Sequence, residues 1–509
     1  MRIQYNSYLR TLGFLLIFSK GFCSFGADGR DATLESAVLS IFKKVGVGER
    51  SLGVSIVDLQ SGSHLVSLNE QGVLSPASAS KLLTAYVALK RLGMDFSFET
   101  SVYVSQPWDR AGVLHGDLQI KGSGDPSLST KDLIAMAYSL KSQGLKRIEG
   151  RIVLDDSAFD SAEVDSTRIS SDSTRPFNAA VSALNLNQNI FRLGLSADSE
   201  TATRFFVEPK NDYIHIKNLV KQASEGQGSG VSQKRVAQNK DQESYELNGK
   251  ISKNQKTPVF LEINVANPPR YLGAVFVEIL KDMGISMKRK DPLVLSSVRG
   301  GDRVAITRSE PLFSLVAEMN KSSSNVYADS LVKMLGHQVF NESGRFERGL
   351  QIINEEAIRL GINNAGFKFV SGSGLTRFNR MSPAHFTKLF IEAFKDFDVF
   401  PEWLSSLSIA GIDGTLEKKM HGNPAFGRLR GKTGTIDGVS SLVGVLKTRG
   451  GRLLSFAAII NAADGRVPSG RAWNDEFGRL LVNYEPVIPE LDQPKIEVKA
   501  DSKSPPKDL

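Results

Sequence analysis

The apolar positions in the first part of the chain change from a helical period to an alternating one and back. Residues 34–45 carry apolar side chains three and four positions apart, which predicts an amphipathic helix. Residues 51–59 and 64–68 alternate like strands on either side of a Gln-Ser-Gly-Ser turn, which predicts a hairpin. Residues 78–93 are apolar around nearly the whole helical circumference, so a helix buried on all sides is predicted, with Gly93 as its stop.

The long middle stretch is predicted to form mainly short strands. They are expected at residues 100–104, 118–120, 151–154, 204–207, 213–216 and 259–265. Residues 222–256 are polar and contain few large apolar side chains, which predicts a flexible excursion or a poorly packed hairpin pair. An amphipathic helix is predicted at residues 271–283.

The last third of the chain is predicted to return to the first domain near residues 303–306. Two helices, at residues 311–319 and 326–335, flank a break, and Gly336 is the expected stop of the second one. The remaining expected elements are a three-stranded antiparallel meander at residues 429–435, 440–447 and 453–461, a helix at 470–484, and a proline-rich disordered tail at 485–509.

The composition limits the class of protein. With 509 residues, of which 41% are hydrophobic and 23% charged, the chain has the composition of a globular protein of about two to four domains. The formal charge of +8 falls to +5 without the three basic residues of a predicted leader, and arginine-rich runs are lacking. A nucleic-acid partner is therefore not expected.

Residues 1–26 have the pattern of a signal peptide, with a basic start, an apolar stretch at 12–18 and small residues around position 26. Lys20 shortens the apolar core, which leaves a retained N-terminal anchor as the alternative. Cys23 is the only cysteine, so the mature chain would contain none, which fits export to a periplasm without disulfides. The mature chain has no stretch that is long and apolar enough to span a membrane.

Candidate chemistry first appears at the start of the helix predicted over residues 78–93. Ser78 and Lys81 are three positions apart, so one helical turn brings the hydroxyl and the amine to the same face. In a dry interior the pKa of Lys81 would fall, and its neutral amine could accept the proton of Ser78. The same spacing also occurs at Ser40/Lys43, Ser330/Lys333 and Ser504/Lys507. Spacing alone therefore does not identify the nucleophile.

Two further motifs follow in order along the chain. Ser323-Ser324-Asn325 lies at the predicted break between two helices, where a plain helix cap is the alternative because Ser and Asn favour such breaks. Lys432-Thr433-Gly434 lies on the first strand of the meander. With Ser78 and Lys81 they form the S-x-x-K, S-x-N and K-T-G triplet of penicillin-binding proteins and serine β-lactamases, whose three motifs meet in space.

From about residue 30 to 485 the chain resembles the low-molecular-mass class C penicillin-binding proteins. These are D-alanyl-D-alanine carboxypeptidases that also act as DD-endopeptidases. The resemblance extends to residues 153–157, 372–377 and 410–416, and to the long insertion between the first two motifs, which β-lactamases lack. The chain departs from the family at Ser324 and Ser371, where aspartate is common, and neither change is expected to remove a catalytic group.

This resemblance implies an α+β fold. A serine β-lactamase/transpeptidase-like domain, with an antiparallel sheet flanked by helices, would carry nested β-rich inserted domains. The expected boundaries are a signal peptide at 1–26, a catalytic domain at 28–95 and 300–484, a second domain at 96–186 and 268–299, a nested third domain at 187–267 with a flexible part at 222–256, and the tail at 485–509.

The resemblance also implies roles for the motif residues. Ser78 would be the nucleophile and Lys81 the base. Ser323 would relay a proton to the leaving amine, and Asn325 would position Lys81 or the substrate. Lys432 would supply a fixed positive charge for the substrate carboxylate. Thr433 and Gly434 would bind the substrate. The N–H of Thr435 would form the oxyanion hole together with that of Ser78.

The implied substrate is the D-Ala-D-Ala end of a peptidoglycan stem peptide or the cross-link between two stems, with β-lactams as covalent inhibitors. Neither a cofactor nor a metal is expected, because the six histidines show no paired ligand spacing. The alternatives are a serine β-lactamase, which shares the triplet, and a non-catalytic cell-wall-binding scaffold. The sequence leaves open the balance of carboxypeptidase and endopeptidase action, and the oligomeric state.

Overall fold

The computed structural model describes residues 30–485, apart from residues 170–172, 198–202, 225–226, 240–241, 256, 365, 463–466 and 469. The predicted signal peptide and all of the predicted tail except Glu485 lie outside the described residues. Within the described part of the chain, none of the helices combines the length and the apolar character needed to cross a membrane.

The six predicted helices are found, five of them to within a few residues at their ends, together with four helices that were not predicted. The α-helices of the described chain are α1 (Ala32–Lys44), α2 (Lys81–Leu92), α3 (Thr130–Ser142), α4 (Pro268–Asp282), α5 (Leu312–Ser322), α6 (Asn325–Phe340), α7 (Phe346–Arg359), α8 (Pro383–Phe394), α9 (Phe400–Ser405) and α10 (Gly470–Val482). A short 3-10 turn, Ala77–Ser80, leads directly into α2.

Helix α6 is longer than the sequence predicts. It continues past Gly336 to Phe340 and ends at Asn341, whose φ is 53°. A Cβ at Gly336 would lie 2.9 Å from the Cβ of Arg348 and 3.1 Å from the nitrogen of Gly349, both on α7. The prediction of a stop at Gly336 is therefore wrong, because this glycine allows two helices to pack closely.

The predicted strands are also found, together with several that were not predicted, among them long strands at residues 190–197, 230–238 and 243–252. The strands are β1 (Leu52–Asp58), β2 (His64–Leu68), β3 (Glu99–Val104), β4 (Val113–Leu114), β5 (Leu118–Gly122), β6 (Arg147–Ile148), β7 (Ile152–Asp155), β8 (Ile190–Ala197), β9 (Thr203–Glu208), β10 (Ile214–Asn218), β11 (Lys221–Ala223), β12 (Gly230–Gln238), β13 (Glu243–Ser252), β14 (Val259–Asn264), β15 (Ser286–Met287), β16 (Leu293–Leu295), β17 (Asp302–Arg308), β18 (Ser408–Ile409), β19 (Leu429–Ile436), β20 (Val439–Lys447) and β21 (Leu453–Asn461).

The main sheet has six antiparallel strands in the order β18-β19-β20-β21-β1-β2. It contains the predicted hairpin and the predicted meander. Strands β1, β20 and β21 are buried along nearly their whole length because helices cover both faces. One face packs against α8 in a core shared with α2 and α6, and the other packs against α1 and α10. The alternating apolar residues of these strands thus fill two separate cores.

The remaining strands lie in the insertion between α2 and α5. They form a five-stranded sheet (β16-β7-β5-β3-β17), a three-stranded sheet (β15-β6-β4), another of three strands (β14-β8-β9), and a sheet β10-β13-β11 in which β12 also pairs with β13. These sheets share one hydrophobic core with α3 and α4. Strand β17 pairs with β3, so the predicted boundary at residue 300 is too early, and the chain leaves the inserted sheets after Arg308.

The polar stretch at residues 222–256 is ordered where the structure describes it. Strands β12 and β13 pair as a hairpin, and Tyr245, Leu247 and Ile251 on β13 are fully buried. The guanidinium of Arg235 lies 5.4 Å from the centre of the Tyr245 ring and covers it. Of the two expected forms, a flexible excursion or a poorly packed hairpin pair, the structure has a hairpin, whose fully buried side chains lie on β13 while Val236 on β12 is exposed.

The segment between β7 and β8, residues 156–189, crosses back from the insertion to the main body. Phe159, Val181 and Ala183 from this segment are buried in the same core as α2 and α6. The β7–β8 segment therefore forms part of the surroundings of the motifs described next.

Candidate active site

The three motifs predicted to meet in space line one cleft. A cavity of about 790 Å³ lies between the edge of the main sheet and the α5–α6 break. Its lining includes Ser78, Ser323, Asn325 and Thr435. The cavity has the size of a small-molecule or peptide site.

Ser78 lies in the 3-10 turn that precedes α2. The residue before it, Ala77, is fully buried and has a φ of 49°, a left-handed conformation that residues with a side chain adopt rarely. Backbone strain of this kind persists where packing enforces it and is frequent at active sites. Here it presents the Ser78 hydroxyl to the cavity.

The Lys81 amine reaches the Ser78 hydroxyl. Its Nζ lies 3.2 Å from Ser78 Oγ and 2.7 Å from Asn325 Oδ1, and it donates to the carbonyl of Ser373. The side chain is fully buried, and this burial lowers the pKa of Lys81 to about 7. A substantial fraction of the amine is therefore neutral near neutral pH and able to accept a proton.

The S-x-N motif lies at the predicted break, between α5 and α6. Ser323 has a φ of 61° and ends α5, whereas Ser324 caps α6 by accepting the N–H of Tyr327 at 3.4 Å. The capping role expected as the alternative thus belongs to Ser324. Ser323 is left to point into the cleft, where its hydroxyl accepts a hydrogen bond of 2.8 Å from Lys432 Nζ.

Lys432 lies on β19, as predicted, and is fully buried. Its amine donates to Ser323 Oγ and to the carbonyl of Thr433, both at 2.8 Å. Burial, together with the charge of Lys81, holds the pKa of Lys432 well below its usual value. Because both contacts are neutral oxygens, the positive charge expected on Lys432 is not fixed by these partners and needs a bound anion to stabilise it.

Gly434 allows β19 to lie directly against the turn that carries the nucleophile. A Cβ at this position would lie 2.4 Å from the carbonyl oxygen of Pro76 and 3.0 Å from the nitrogen of Ser78. Thr433 turns its hydroxyl away to Thr415, at 2.9 Å, and Thr435 lines the cavity. The glycine thus places the backbone of Thr435 close to that of Ser78.

The other Ser-x-x-Lys pairs have different surroundings. Ser40 and Lys43 are exposed on α1, and Ser504 and Lys507 lie outside the described residues. Ser330 and Lys333 are buried within α6, where the Lys333 amine donates to Asp160 Oδ1 at 2.6 Å. The structure therefore brings only the Ser78 pair, among those it describes, to the cleft with the other two motifs.

Sequence reasoning gave no role to four residues at or near the motifs, although two of them, Ser373 and Thr415, lie in stretches on which the resemblance rests. The carbonyl of Ser373 accepts from Lys81, and Thr415 binds Thr433. Asp329, one turn after Asn325 on α6, forms a buried ion pair with Arg168 of the β7–β8 segment. The four-residue spacing of Asn325 and Asp329, which puts them on one face of a helix, could have been recognised in the sequence. The position of Arg168 could not.

The chain matches the D-Ala-D-Ala carboxypeptidase 3 (S13) family over residues 34–477. It belongs to this family. A D-alanyl-D-alanine carboxypeptidase of Actinomadura sp. (strain R39) is 30% identical to the S13 chain over 447 residues, which cover 85% of the chain and 81% of that protein. The D-alanyl-D-alanine carboxypeptidase DacB of Haemophilus influenzae is 27% identical over 439 residues, covering 85% of the chain and 90% of that protein.

Solved structures agree with the family. The crystal structure of penicillin binding protein 4 (dacB) from Haemophilus influenzae superposes with a TM-score of 0.75 at 26% identity, covering 88% of the S13 chain and 98% of that protein. The same protein complexed with a novel β-lactam superposes with a TM-score of 0.70 at 25% identity, over the same shares of the two chains. The α+β penicillin-binding fold is confirmed, and the S13 chain is a serine-type D-Ala-D-Ala carboxypeptidase, a DD-peptidase of peptidoglycan.

Proposed function

We propose that this peptidase acts through an acyl-enzyme on Ser78, formed with the D-alanyl end of a peptidoglycan stem peptide. The observation that carries the proposal is the buried Lys81 amine, which lies 3.2 Å from the Oγ of Ser78, a residue that lines the cavity. A nucleophile next to a base of lowered pKa is the arrangement that covalent catalysis requires.

In the acylation step, Ser78 Oγ attacks the carbonyl carbon of the penultimate D-alanine while its proton passes to the neutral Lys81 amine. The N–H groups of Ser78 and Thr435 stabilise the negative charge on the carbonyl oxygen. One such donor contributes about 3 kcal/mol of transition-state stabilisation. The close approach allowed by Gly434 supports this pairing of donors.

The leaving nitrogen needs a proton as its bond to carbon breaks. Ser323 supplies it, since the hydroxyl lines the cavity and accepts a hydrogen bond from Lys432, which can restore its proton. Lys432 must be charged to do so. A substrate carboxylate bound beside Thr435, which lines the cavity, would provide the missing counter-charge, so that Lys432 would take up a proton when substrate binds. Thr433 would join this contact only after its hydroxyl leaves Thr415.

Water then cleaves the ester and frees Ser78. The same chemistry serves two leaving groups: a terminal D-alanine, for a carboxypeptidase, and the neighbouring stem of a cross-link, for an endopeptidase. The site is expected to act in the periplasm after removal of residues 1–26. It is also expected to be acylated by β-lactams, as the related Haemophilus protein complexed with one supports.

Mass spectrometry of the purified protein after incubation with benzylpenicillin tests the proposal. A single stable adduct on Ser78 is expected, and Ser78→Ala should lose it while keeping the unfolding temperature of the unsubstituted protein. Ser40→Ala, which removes an exposed serine of the same Ser-x-x-Lys spacing, is the control and should keep the adduct. An adduct that survives Ser78→Ala would refute the assignment.

Defined muropeptides then separate the activities. Loss of D-alanine from a pentapeptide monomer and cleavage of a cross-linked dimer report carboxypeptidase and endopeptidase action respectively. An adduct that is rapidly hydrolysed, without either cleavage, would point to a β-lactamase. Absence of both adduct and cleavage would point to a non-catalytic scaffold.

A further inference from the structure

The β7–β8 segment contacts helix α6 at the S-x-N motif and one turn beyond it. The carbonyl of Phe177 accepts from Asn325 Nδ2 at 2.7 Å, and Gln188 Oε1 accepts from Ser324 Oγ at 2.7 Å. One turn further along α6, Arg168 donates to Asp329. The insertion therefore forms a wall of the active site, in contact with the residues that bind Lys81.

The Arg168–Asp329 contact is an ion pair without access to solvent. The Arg168 side chain is 1% exposed and that of Asp329 is 0% exposed. Arg168 also donates to the carbonyl of Ala179 at 2.8 Å and to that of Asn178 at 3.2 Å. A charged pair buried so completely costs much desolvation, and removing one partner leaves an uncompensated charge. Its place beside the catalytic lysine calls for an explanation beyond packing.

We propose that Arg168 and Asp329 are positioning residues of the active site. Their ion pair ties the insertion to α6 beneath Asn325 and balances the charge next to the Lys81 amine. The proposal rests on the acyl-enzyme mechanism described above and adds to it a part for the inserted segment. The insertion is then required for the chemistry of the first domain as well as for its shape.

The geometry follows from the helix. Asn325 and Asp329 are four residues apart on α6, so both lie on the face turned to Lys81. Asn325 holds the amine directly, at 2.7 Å. Among the described residues, two charged groups act on this amine: Asp329 from α6 and Arg168 from the β7–β8 segment. The charge of Lys81 acts in turn on Lys432 of β19. Asp165 of the same segment faces Asp329.

The signs of these charges oppose each other. Burial lowers the pKa of Lys81, the negative charge of Asp329 raises it and the positive charge of Arg168 lowers it again. Removing either partner should therefore change the protonation of Lys81, in opposite directions. A pair that served only to hold the fold together would have no such signature.

The test is the pH dependence of acylation by benzylpenicillin in the full-length protein. The measured quantity is the inflection point of the acylation rate plotted against pH, which reports the protonation of Lys81. Asp329→Asn leaves Arg168 uncompensated, which favours the neutral amine, so this inflection should move to lower pH. Arg168→Met leaves Asp329 uncompensated, which favours the ammonium, so the inflection should move to higher pH. Each shift should be about one unit, and the double variant should return close to the unsubstituted value.

A matched control exists in the same interface. Asp160 of the β7–β8 segment, whose side chain is 28% exposed, binds the fully buried Lys333 one turn beyond Asp329 on α6. Asp160→Asn therefore also removes a charged contact between the insertion and that helix. It should lower the unfolding temperature and leave the inflection unmoved. Arg168→Lys keeps the charge but loses the forked contacts, so the inflection should stay while the plateau rate falls about tenfold.

The outcomes separate cleanly. Inflections that stay at the unsubstituted value in both Asp329→Asn and Arg168→Met overturn the proposal. Shifts in the same direction also overturn it, because general loosening of the site would produce them. If Arg168→Met does not fold, the proposal is overturned by an inflection that stays in Asp329→Asn or by one that moves in Arg168→Lys, which keeps the charge. Failure of the acyl-enzyme mechanism would appear differently, as no acylation of the unsubstituted protein at any pH.

Discussion

Replacing Gly434 with alanine should slow acylation while leaving the fold intact. The new Cβ would lie 2.4 Å from the carbonyl oxygen of Pro76 and 3.0 Å from the nitrogen of Ser78. It would also lie 2.4 Å from Ser441 Oγ, which donates to the carbonyl of Pro76 at 2.8 Å. Rotation of that hydroxyl would break this hydrogen bond and would still leave the backbone of Pro76 in place. Strand β19 and the nucleophile turn must therefore move apart.

The size of that movement can be worked out from these distances. Real Cβ atoms do not approach closer than 3.0 Å, so the separation from the Pro76 oxygen must grow by at least about 0.6 Å, the difference between 2.4 and 3.0 Å. The oxyanion donors on Ser78 and Thr435 lie on the two parts that separate. A displacement approaching 1 Å, or loss of one donor, costs about 100-fold in rate.

The assay is the second-order rate constant for acylation by a fluorescent penicillin, measured with thermal unfolding. Gly431→Ala is the control: it lies on the same strand, and the nearest atoms to its Cβ are 3.2 Å away, so only a small adjustment is required. It should keep most of the rate. A Gly434→Ala variant that acylates as fast as the control would refute the close-approach argument.

Two further predictions concern pH. Acylation should rise with pH through about 7 and then level off, because burial lowers the pKa of Lys81 to about 7 and only its neutral amine accepts a proton; a flat profile would exclude Lys81 as the base. Burial lowers the pKa of His385 from 6.5 to about 4, so the unfolded chain takes up the proton first and stability should fall as pH drops from 6.5 towards 4. Thermal unfolding should be measured across this pH range for the unsubstituted protein and for His385→Gln. The part of the pH dependence that comes from the His385 imidazole should be absent in His385→Gln.

Elements set by local pattern could be predicted from the sequence. Strands β20 and β21 are short, largely apolar runs on either side of a Thr-Arg-Gly-Gly turn, and α2 is apolar on all sides, so these elements followed from residues close together in the chain. The order of the three motifs then allowed the cleft to be predicted as well. These features could be predicted because they depend on residues close together in the chain, or on motifs specific enough to identify a family.

Features set by distant contacts could not be predicted in this way. Gly336 has the local signature of a helix stop, but its role is decided by α7, which packs against it. Strand β17 belongs to the inserted sheet because it pairs with β3, about 200 residues earlier. Arg168 resembles any other arginine in the sequence, and only the fold places it beneath the S-x-N motif.

The pairing of β1 with β21 has a consequence for how the molecule is made. Val54 pairs with Ala458, so the first strand of the main sheet finds its neighbour near the end of the chain. Ribosomes release the N-terminus first. The helix that carries Ser78 and Lys81 is therefore synthesised before the strand that completes the main sheet. The inserted sheets can form in the meantime, because all of their strands precede β18. A prematurely terminated chain that lacks β21 has both residues and no completed sheet to hold them, so the cell obtains a working hydrolase only when nearly all of the chain has emerged.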